Sequence, residues 1–491
     1  MSFPRHIFRE YDVRGVADRD LSDGLARALG ASFAWILRGG EAGAGGEAGA
    51  GGEVGDAGAA SSRRLRVAVA RDARLSSDRL FQALTAGLRE GGTDVVSVGV
   101  GPSPLLYFAA HHLGTDGAVM ITASHNPGPD NGFKMMRGKA SFFGKDIQRL
   151  ADLVSDLAGK EGEPPAARLT GTLTGTLTEV DVSDAYVASV REGTRLPRTD
   201  LRFVVDAGNG AAGPLGLRTL RALGFDPDPL FCELDGTFPN HHPDPTVPEN
   251  LEALRARVKD TGSALGVAWD GDGDRIGVVD EQGEVIWGDR LLVLFARALL
   301  RERPGAAILG EVKCSEVLYA DIAAHGGRPI LWKTGHSLIK TKMKEEGALL
   351  AGEMSGHMFF ADRWPGFDDA IYATARLLEI LVSEGQSVRA LLSDLPETFA
   401  TPEIRVSCPD AIKFEVVRYV TEHYRRTHPV IDIDGARVDF GDGAWGLCRA
   451  SNTGPVLVLR FEARTAERRD AIRAEVESVV RDGLHAAGGE R

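Results

Sequence analysis

The chain has 491 residues, room for three or four domains at ~150 residues each, and its 43% hydrophobic and 26% charged content is that of a soluble globular protein. Seventy acidic against 57 basic side chains leave a net charge of −13, which excludes the basic face expected of a nucleic-acid binder. The four cysteines (Cys232, Cys314, Cys408, Cys448) form no C-x-x-C pair, no apolar leader opens the chain, and the apolar run at 291–300 is short and carries Arg297; a cytoplasmic protein with no membrane segment is expected.

An amphipathic helical pattern over 21–37 comes first. The near-repeat GGEAGA-GGEAGA-GGEVGDAG at 39–58 follows, with nothing to bury, and is expected to be a flexible surface insertion in an α/β connection. Strands RVAVA, DVVSVGV and GAVMIT then alternate with helical patterns at 77–90 and 104–113, as in an α/β domain. The alternation breaks over 161–179, restarts at RFVVDAGNG from 202, and starts a third time near 308. From about 401 the order becomes EIRVS, VIDID, ARVDF and VLVLRFEA, with a helix before and after. The expected division is 1–165, 166–302 and 303–398 as α/β domains and 399–491 as a smaller α+β domain.

Three polar loops directly follow apolar strands. Ligands of open α/β sheets bind at the carboxyl ends of strands, so these loops are expected to converge on one cleft. In DGDGDR, Asp270, Asp272 and Asp274 crowd three carboxylates into five residues, an arrangement that needs a cation or solvent, and hard oxygen donors suit Mg²⁺ or Ca²⁺. An EF-hand fails, because Arg275 stands where the sharp turn requires glycine. Ser124, in TASHNP, reads as an exposed nucleophile or as a turn residue, and no G-x-S-x-G elbow surrounds it. Glu353, Ser355 and His357 in GEMSGH alternate acceptor and donor groups that suit sugar hydroxyls or an ordinary turn. Arg449, Ser451, Asn452 and Thr453 with Gly454 offer a phosphate cradle or a hairpin turn.

Taken together and in order, FREYDVRG (8–15), TASHNP, DGDGDR, GEMSGH and RASNTGPVLVLRFEA resemble the α-D-phosphohexomutases, closest to the bacterial phosphomannomutase/phosphoglucomutase branch. DNGFK, EVKCSE, WKTGHSLIK and GFDDAIYATARLLEIL add to the resemblance. It implies three related α/β domains with mixed sheets plus a smaller C-terminal α+β domain around a central cleft. It also implies interconversion of hexose 1-phosphate and hexose 6-phosphate, mannose and glucose, through a phosphorylated Ser124 and a hexose 1,6-bisphosphate. Mg²⁺ would be held by Asp270, Asp272, Asp274 and a phosphoserine oxygen. Arg14 and Lys134 would stabilise the transferring group or relay a proton, with His336 a further acid/base residue. Tyr11, Arg275 and Lys313 would line the cleft, Glu353 and Ser355 would bind the sugar 3- and 4-hydroxyls with His357 beside them, and Arg449, Ser451, Asn452 and Thr453 would clamp the non-reacting phosphate. The implied partners are small phosphosugars, with the chain a monomer or weak oligomer. A phosphoglucosamine mutase usually carries R-x-S-G-T in the last loop, and Asn452 departs from it; a metal-dependent phosphatase would instead release inorganic phosphate.

Overall fold

The computed structural model of the chain describes residues 3–39, 64–158, 174–452 and 454–488. The expected insertion lies outside these residues from position 40 onward.

Short runs rich in valine, alanine and isoleucine form the central strands, buried on both faces as parallel strands under helices must be. In the first sheet Gly117–Ile121, Arg66–Arg71, Asp94–Val100 and Leu177–Glu179 run parallel in that spatial order, and Asp130–Arg137 joins Gly117–Ile121 antiparallel. Val13–Val16 closes the sheet against Asp130–Arg137. Because Leu177–Glu179 pairs with Asp94–Val100, this sheet draws in residues beyond 165. The second sheet repeats the plan with Leu265–Trp269, Phe203–Asp206 and Asp228–Leu230 parallel and Ile276–Asp280 antiparallel to Leu265–Trp269. The third repeats it again with Leu350–Gly352, Ala307–Glu311 and Arg328–Trp332 parallel and Met358–Phe360 antiparallel to Leu350–Gly352. In all three, the loop that leads into the antiparallel strand carries one of the polar motifs.

Beside smaller cores within each, one large apolar core is shared by these three units. Phe108, Tyr186, Trp364 and Tyr372 meet within it, with the Trp364 and Tyr372 rings stacked at 4.4 Å. Full burial of a large apolar side chain is worth roughly 1.5–3 kcal/mol, so this shared cluster fixes the units against each other. Helix Ala370–Glu384 begins where the Asp369 side chain accepts from Tyr372 N and stops at Gly385 in the left-handed region. The apolar run at 291–300 lies in helix Gly288–Glu302, most of it buried in the core. Among the described residues no helix is long and apolar enough to cross a membrane, and all four cysteines are free and buried.

The last unit is an antiparallel sheet in which Val456–Ala463 pairs with Trp445–Ala450, Ile404–Ser407 and Phe399–Ala400. Helices Lys413–Tyr424 and Ala466–Ala486 contribute Val416, Val420, Ile472 and Val476 to its own core. The expected strands are present, with VIDID reduced to Val430–Ile431. Trp445–Ala450 is a further strand in the stretch that the sequence left unassigned.

Candidate active site

All four units line one cleft of about 1080 Å³. Ser124 and Arg275 line it, and the serine and acidic loops meet at Ser124. Ser124 follows strand Gly117–Ile121 and adopts φ 52°, left-handed backbone that costs a non-glycine residue roughly 1–3 kcal/mol unless its surroundings impose it. Its amide donates to Thr122 Oγ1 at 2.9 Å. Its Oγ donates to Asp270 Oδ2 at 2.7 Å and lies 3.0 Å from His125 Nδ1. The expectation of an exposed loop serine is corrected here. Ser124 is only 3% exposed, because the acidic loop closes over it. Gly271 permits that approach, since a Cβ there would lie 2.3 Å from Ser124 O.

Asp270, Asp272 and Asp274 are fully buried. Gly273, at φ +73°, makes the turn that aims all three carboxylates inward. Lys134 enters from strand Asp130–Arg137 and its Nζ donates to Asp272 Oδ2 at 2.6 Å and Asp274 Oδ2 at 2.7 Å. Burial alone would lower the Lys134 pKa, but the Asp272 and Asp274 charges outweigh it and hold the ammonium form. Burial and the charges of Asp274 and Asp272 push Asp270 well above the usual carboxylate range. Asp272 goes the other way: burial opposes its charge, and Lys134 and the Ser103 hydroxyl more than compensate.

These residues fit a hard divalent cation. One oxygen from each carboxylate lies within 4.8 Å of the others, and Asp272 Oδ1 and Asp274 Oδ1 have no hydrogen-bond partner, which leaves hard oxygen donors free for a cation. Ser103, which the sequence did not single out, completes the nest with Oγ donating to Asp272 Oδ2 at 2.5 Å. It opens a helix in an unremarkable GPSP stretch, so only the fold reveals it.

Arg14, at the first sheet's edge, donates to Asn126 Oδ1 at 2.8 Å, Ala123 O at 3.2 Å and Asp12 Oδ2 at 2.5 Å, and so braces the serine loop beside the cleft. From the second unit, Arg275 Nε donates to His357 Nε2 at 3.0 Å. That imidazole nitrogen is therefore the acceptor, and its Nδ1 faces Asp368 Oδ2 at 3.1 Å. The Asp274, His357 and Asp368 side chains also lie close enough for metal ligation. Asp368 also receives Lys340 Nζ at 2.9 Å and stands 3.8 Å from His336 Nδ1. Asp368 sat inside the GFDDAIY resemblance without a role. His336 begins helix His336–Glu346, and its ring stacks 5.7 Å from that of His357. Burial, reinforced by Lys340, pushes the His336 pKa well below the ordinary imidazole value, so at neutral pH the ring is uncharged.

Most of the remaining expected residues also line the cleft. Glu353 Oε1 accepts from Gly335 N at 2.6 Å and its Oε2 from Ser355 Oγ at 3.2 Å, which ties the sugar-loop candidates to the turn before His336. Tyr11 OH donates to Thr334 O at 2.9 Å and accepts from Asn452 Nδ2 at 2.6 Å, so one hydroxyl joins the first, third and fourth units. Lys313 pairs with Glu403 at 3.2 Å. Arg449, at the end of strand Trp445–Ala450 rather than in the loop, pairs with Asp434 at 3.0 Å. Ser451 lines the cleft and its carbonyl accepts from Lys413 Nζ at 2.6 Å. Thr453 lies outside the described residues.

Fold and cleft together define a class: an enzyme of three α/β domains and a C-terminal domain, with a serine–carboxylate centre at the cleft between them. Models described as phosphoglucomutase/phosphomannomutase alpha/beta/alpha domains I, II and III and C-terminal domain match residues 50–157, 184–283, 287–399 and 403–479. The chain is 44% identical over 487 residues to a phosphomannomutase/phosphoglucomutase of Pseudomonas syringae pv. tomato, covering 98% of this chain and 97% of that one. It is 41% identical over 487 residues to a phosphoglucomutase of Neisseria gonorrhoeae, covering 99% and 98%. The crystal structure of a phosphoglucomutase/phosphomannomutase family protein from Burkholderia thailandensis superposes with a TM-score of 0.84 at 42% identity, covering 99% of this chain and 98% of that one. The chain belongs to the phosphoglucomutase/phosphomannomutase family.

Proposed function

We propose that the enzyme interconverts hexose 1-phosphate and hexose 6-phosphate, with mannose and glucose as the sugars, through a phosphorylated Ser124 and a hexose 1,6-bisphosphate. The observation that carries this reading is the contact of Ser124 Oγ with Asp270, in a cleft that Ser124 and Arg449 both line. In the first half-reaction a sugar hydroxyl oxygen forms a bond to phosphorus, the bond from phosphorus to Ser124 Oγ breaks, the hydroxyl gives up its proton and Ser124 Oγ gains one. In the second, Ser124 Oγ forms the bond to phosphorus of the bisphosphate, the bond from that phosphorus to the other sugar oxygen breaks, and the serine proton is returned to the sugar oxygen. The charge states divide the labour. Lys134 is held as an ammonium and serves to balance negative charge, whereas uncharged His336 has a lone pair free to take the proton. A magnesium ion on Asp270, Asp272, Asp274 and a phosphoserine oxygen would add positive charge where negative charge builds during transfer.

Glu353 and Ser355 bind the sugar 3- and 4-hydroxyls, which approximately exchange places when the ring flips between half-reactions. Arg449, Ser451, Asn452 and Thr453 clamp the phosphate that is not reacting. Glucose and mannose differ at C2, away from that reader, so both are substrates. A coupled assay comparing mannose 1-phosphate, glucose 1-phosphate and glucosamine 1-phosphate tests this reading. Turnover of the first two with conserved phosphate is expected; preference for the amino sugar, or release of inorganic phosphate, would refute it.

A further inference from the structure

Arg74 follows strand Arg66–Arg71 of the first sheet, and its side chain is completely shielded from solvent. Such a guanidinium needs every donor matched. One match is a carboxylate: Nε donates to Asp72 Oδ2 at 3.1 Å, and Asp72 is itself held by Ser77 Oγ at 2.6 Å. The other strong matches are backbone carbonyls of one loop. Nη2 donates to Ser124 O at 2.8 Å and Asn126 O at 2.6 Å, and Nη1 to Pro127 O at 2.6 Å and Asp130 O at 2.9 Å. The serine loop thus hangs on the fork of one side chain.

The second unit caps that fork. The Phe238 ring lies 5.1 Å from the guanidinium carbon. Beside it, Gly236 presses so closely that a Cβ there would sit 2.1 Å from Ala73 O. Arg74 therefore lies between the loop that carries Ser124 and a segment of the unit that carries Asp270. The planar fork presents five donors, enough for the carboxylate and four carbonyls together, where a lysine ammonium has three and a shorter reach.

We propose that Arg74 is a positioning residue for phosphoryl transfer: its guanidinium fixes the 124–130 loop against the second domain and so holds Ser124 Oγ in register with Asp270. The proposal rests on Ser124 being the phosphoryl carrier. Arg74 touches neither substrate nor metal ligand side chains, and acts only through the loop backbone.

The test compares the unaltered enzyme with Arg74→Lys, Arg74→Met and Phe238→Ala, each incubated with glucose 1,6-bisphosphate. Phosphorylation of Ser124 is followed by intact mass, and kcat, KM and thermal midpoint are measured alongside. Arg74→Lys is expected to fold, with Ser124 phosphorylation and kcat at least about tenfold slower and KM within about twofold of the original. Arg74→Met should be slower still, so that the retained charge of lysine gives partial rescue. Phe238→Ala should lower kcat by a smaller factor at unchanged KM. If Ser124 of the unaltered enzyme takes up no phosphoryl group, the carrier reading falls and this proposal with it. If Ser124 is phosphorylated normally and Arg74→Lys matches the original kcat, or loses its fold, Arg74 is not a positioning residue and the proposal alone is overturned.

Discussion

Ser124 Oγ and Asp270 Oδ2 are 2.7 Å apart although 146 residues separate them in the chain. This contact joins the nucleophile candidate of one sheet to the first carboxylate of the next, and both side chains are buried. Ser124→Ala removes one hydroxyl from a site already shaped by Arg74 and Gly271, so the fold and substrate binding should persist while turnover falls to near background. Near-normal turnover in the coupled assay would refute the phosphoserine mechanism.

Asp272→Asn removes a carboxylate charge held by Lys134 and Ser103. The substitution is nearly isosteric, so the loss is electrostatic. The expected result is a weaker magnesium titration and strongly slowed transfer. An unchanged metal titration would mean that the acidic turn holds no ion.

Lys134 holds Asp272 Oδ2 and Asp274 Oδ2, on the same two carboxylates whose Oδ1 atoms lack a hydrogen-bond partner. Lys134→Met should therefore tighten Mn²⁺ or Mg²⁺ binding measured by calorimetry, because a competing cation is gone, and at the same time slow turnover. Weaker metal binding in this variant would show that Lys134 supports the site rather than competing for it.

Arg449 is paired with Asp434 in this structure, so a phosphate clamp at this position must draw the guanidinium into a shared network. Charge-assisted bonds worth about 1.5–3 kcal/mol correspond to roughly ten- to hundredfold in affinity. Arg449→Ala should raise KM for mannose and glucose phosphates alike, by about that range. A change confined to one sugar would place Arg449 in sugar selection instead.

Asp369 offers a pH test of the core. Burial raises its carboxyl from an ordinary 3.8 to about 7. The folded state therefore keeps a proton that the unfolded chain releases above about pH 4, so the associated stability is complete at lower pH and is lost as pH rises through 7. Asp369→Asn keeps an oxygen to cap Tyr372 N and carries no charge. Relative to the unaltered enzyme, its thermal midpoint should rise progressively between about pH 4 and pH 8. A constant difference across that interval would mean that Asp369 titrates as an ordinary carboxylate.

Much was legible in the amino-acid order because it is encoded locally. Helix 77–90, strand 94–100 and the C-terminal strands follow from period and β-branched content. The serine, acidic and sugar loops stand out because each polar cluster directly follows an apolar strand. What the order alone could not settle are facts about distance across the chain. Ser124 reads as an exposed turn residue until Gly271 lets the acidic loop descend on it. Lys134 is one lysine among many until its strand register aims it at Asp272 and Asp274. Ser103, Arg74 and Asp368 carry no sequence signal of their own, because their partners lie 169, 50 and about ten to thirty positions away. Local propensity dictates which elements form and which residues stand at their ends; only the packing of one core through three sheets decides which of those ends meet, because burial and electrostatic partnership depend on separation in space.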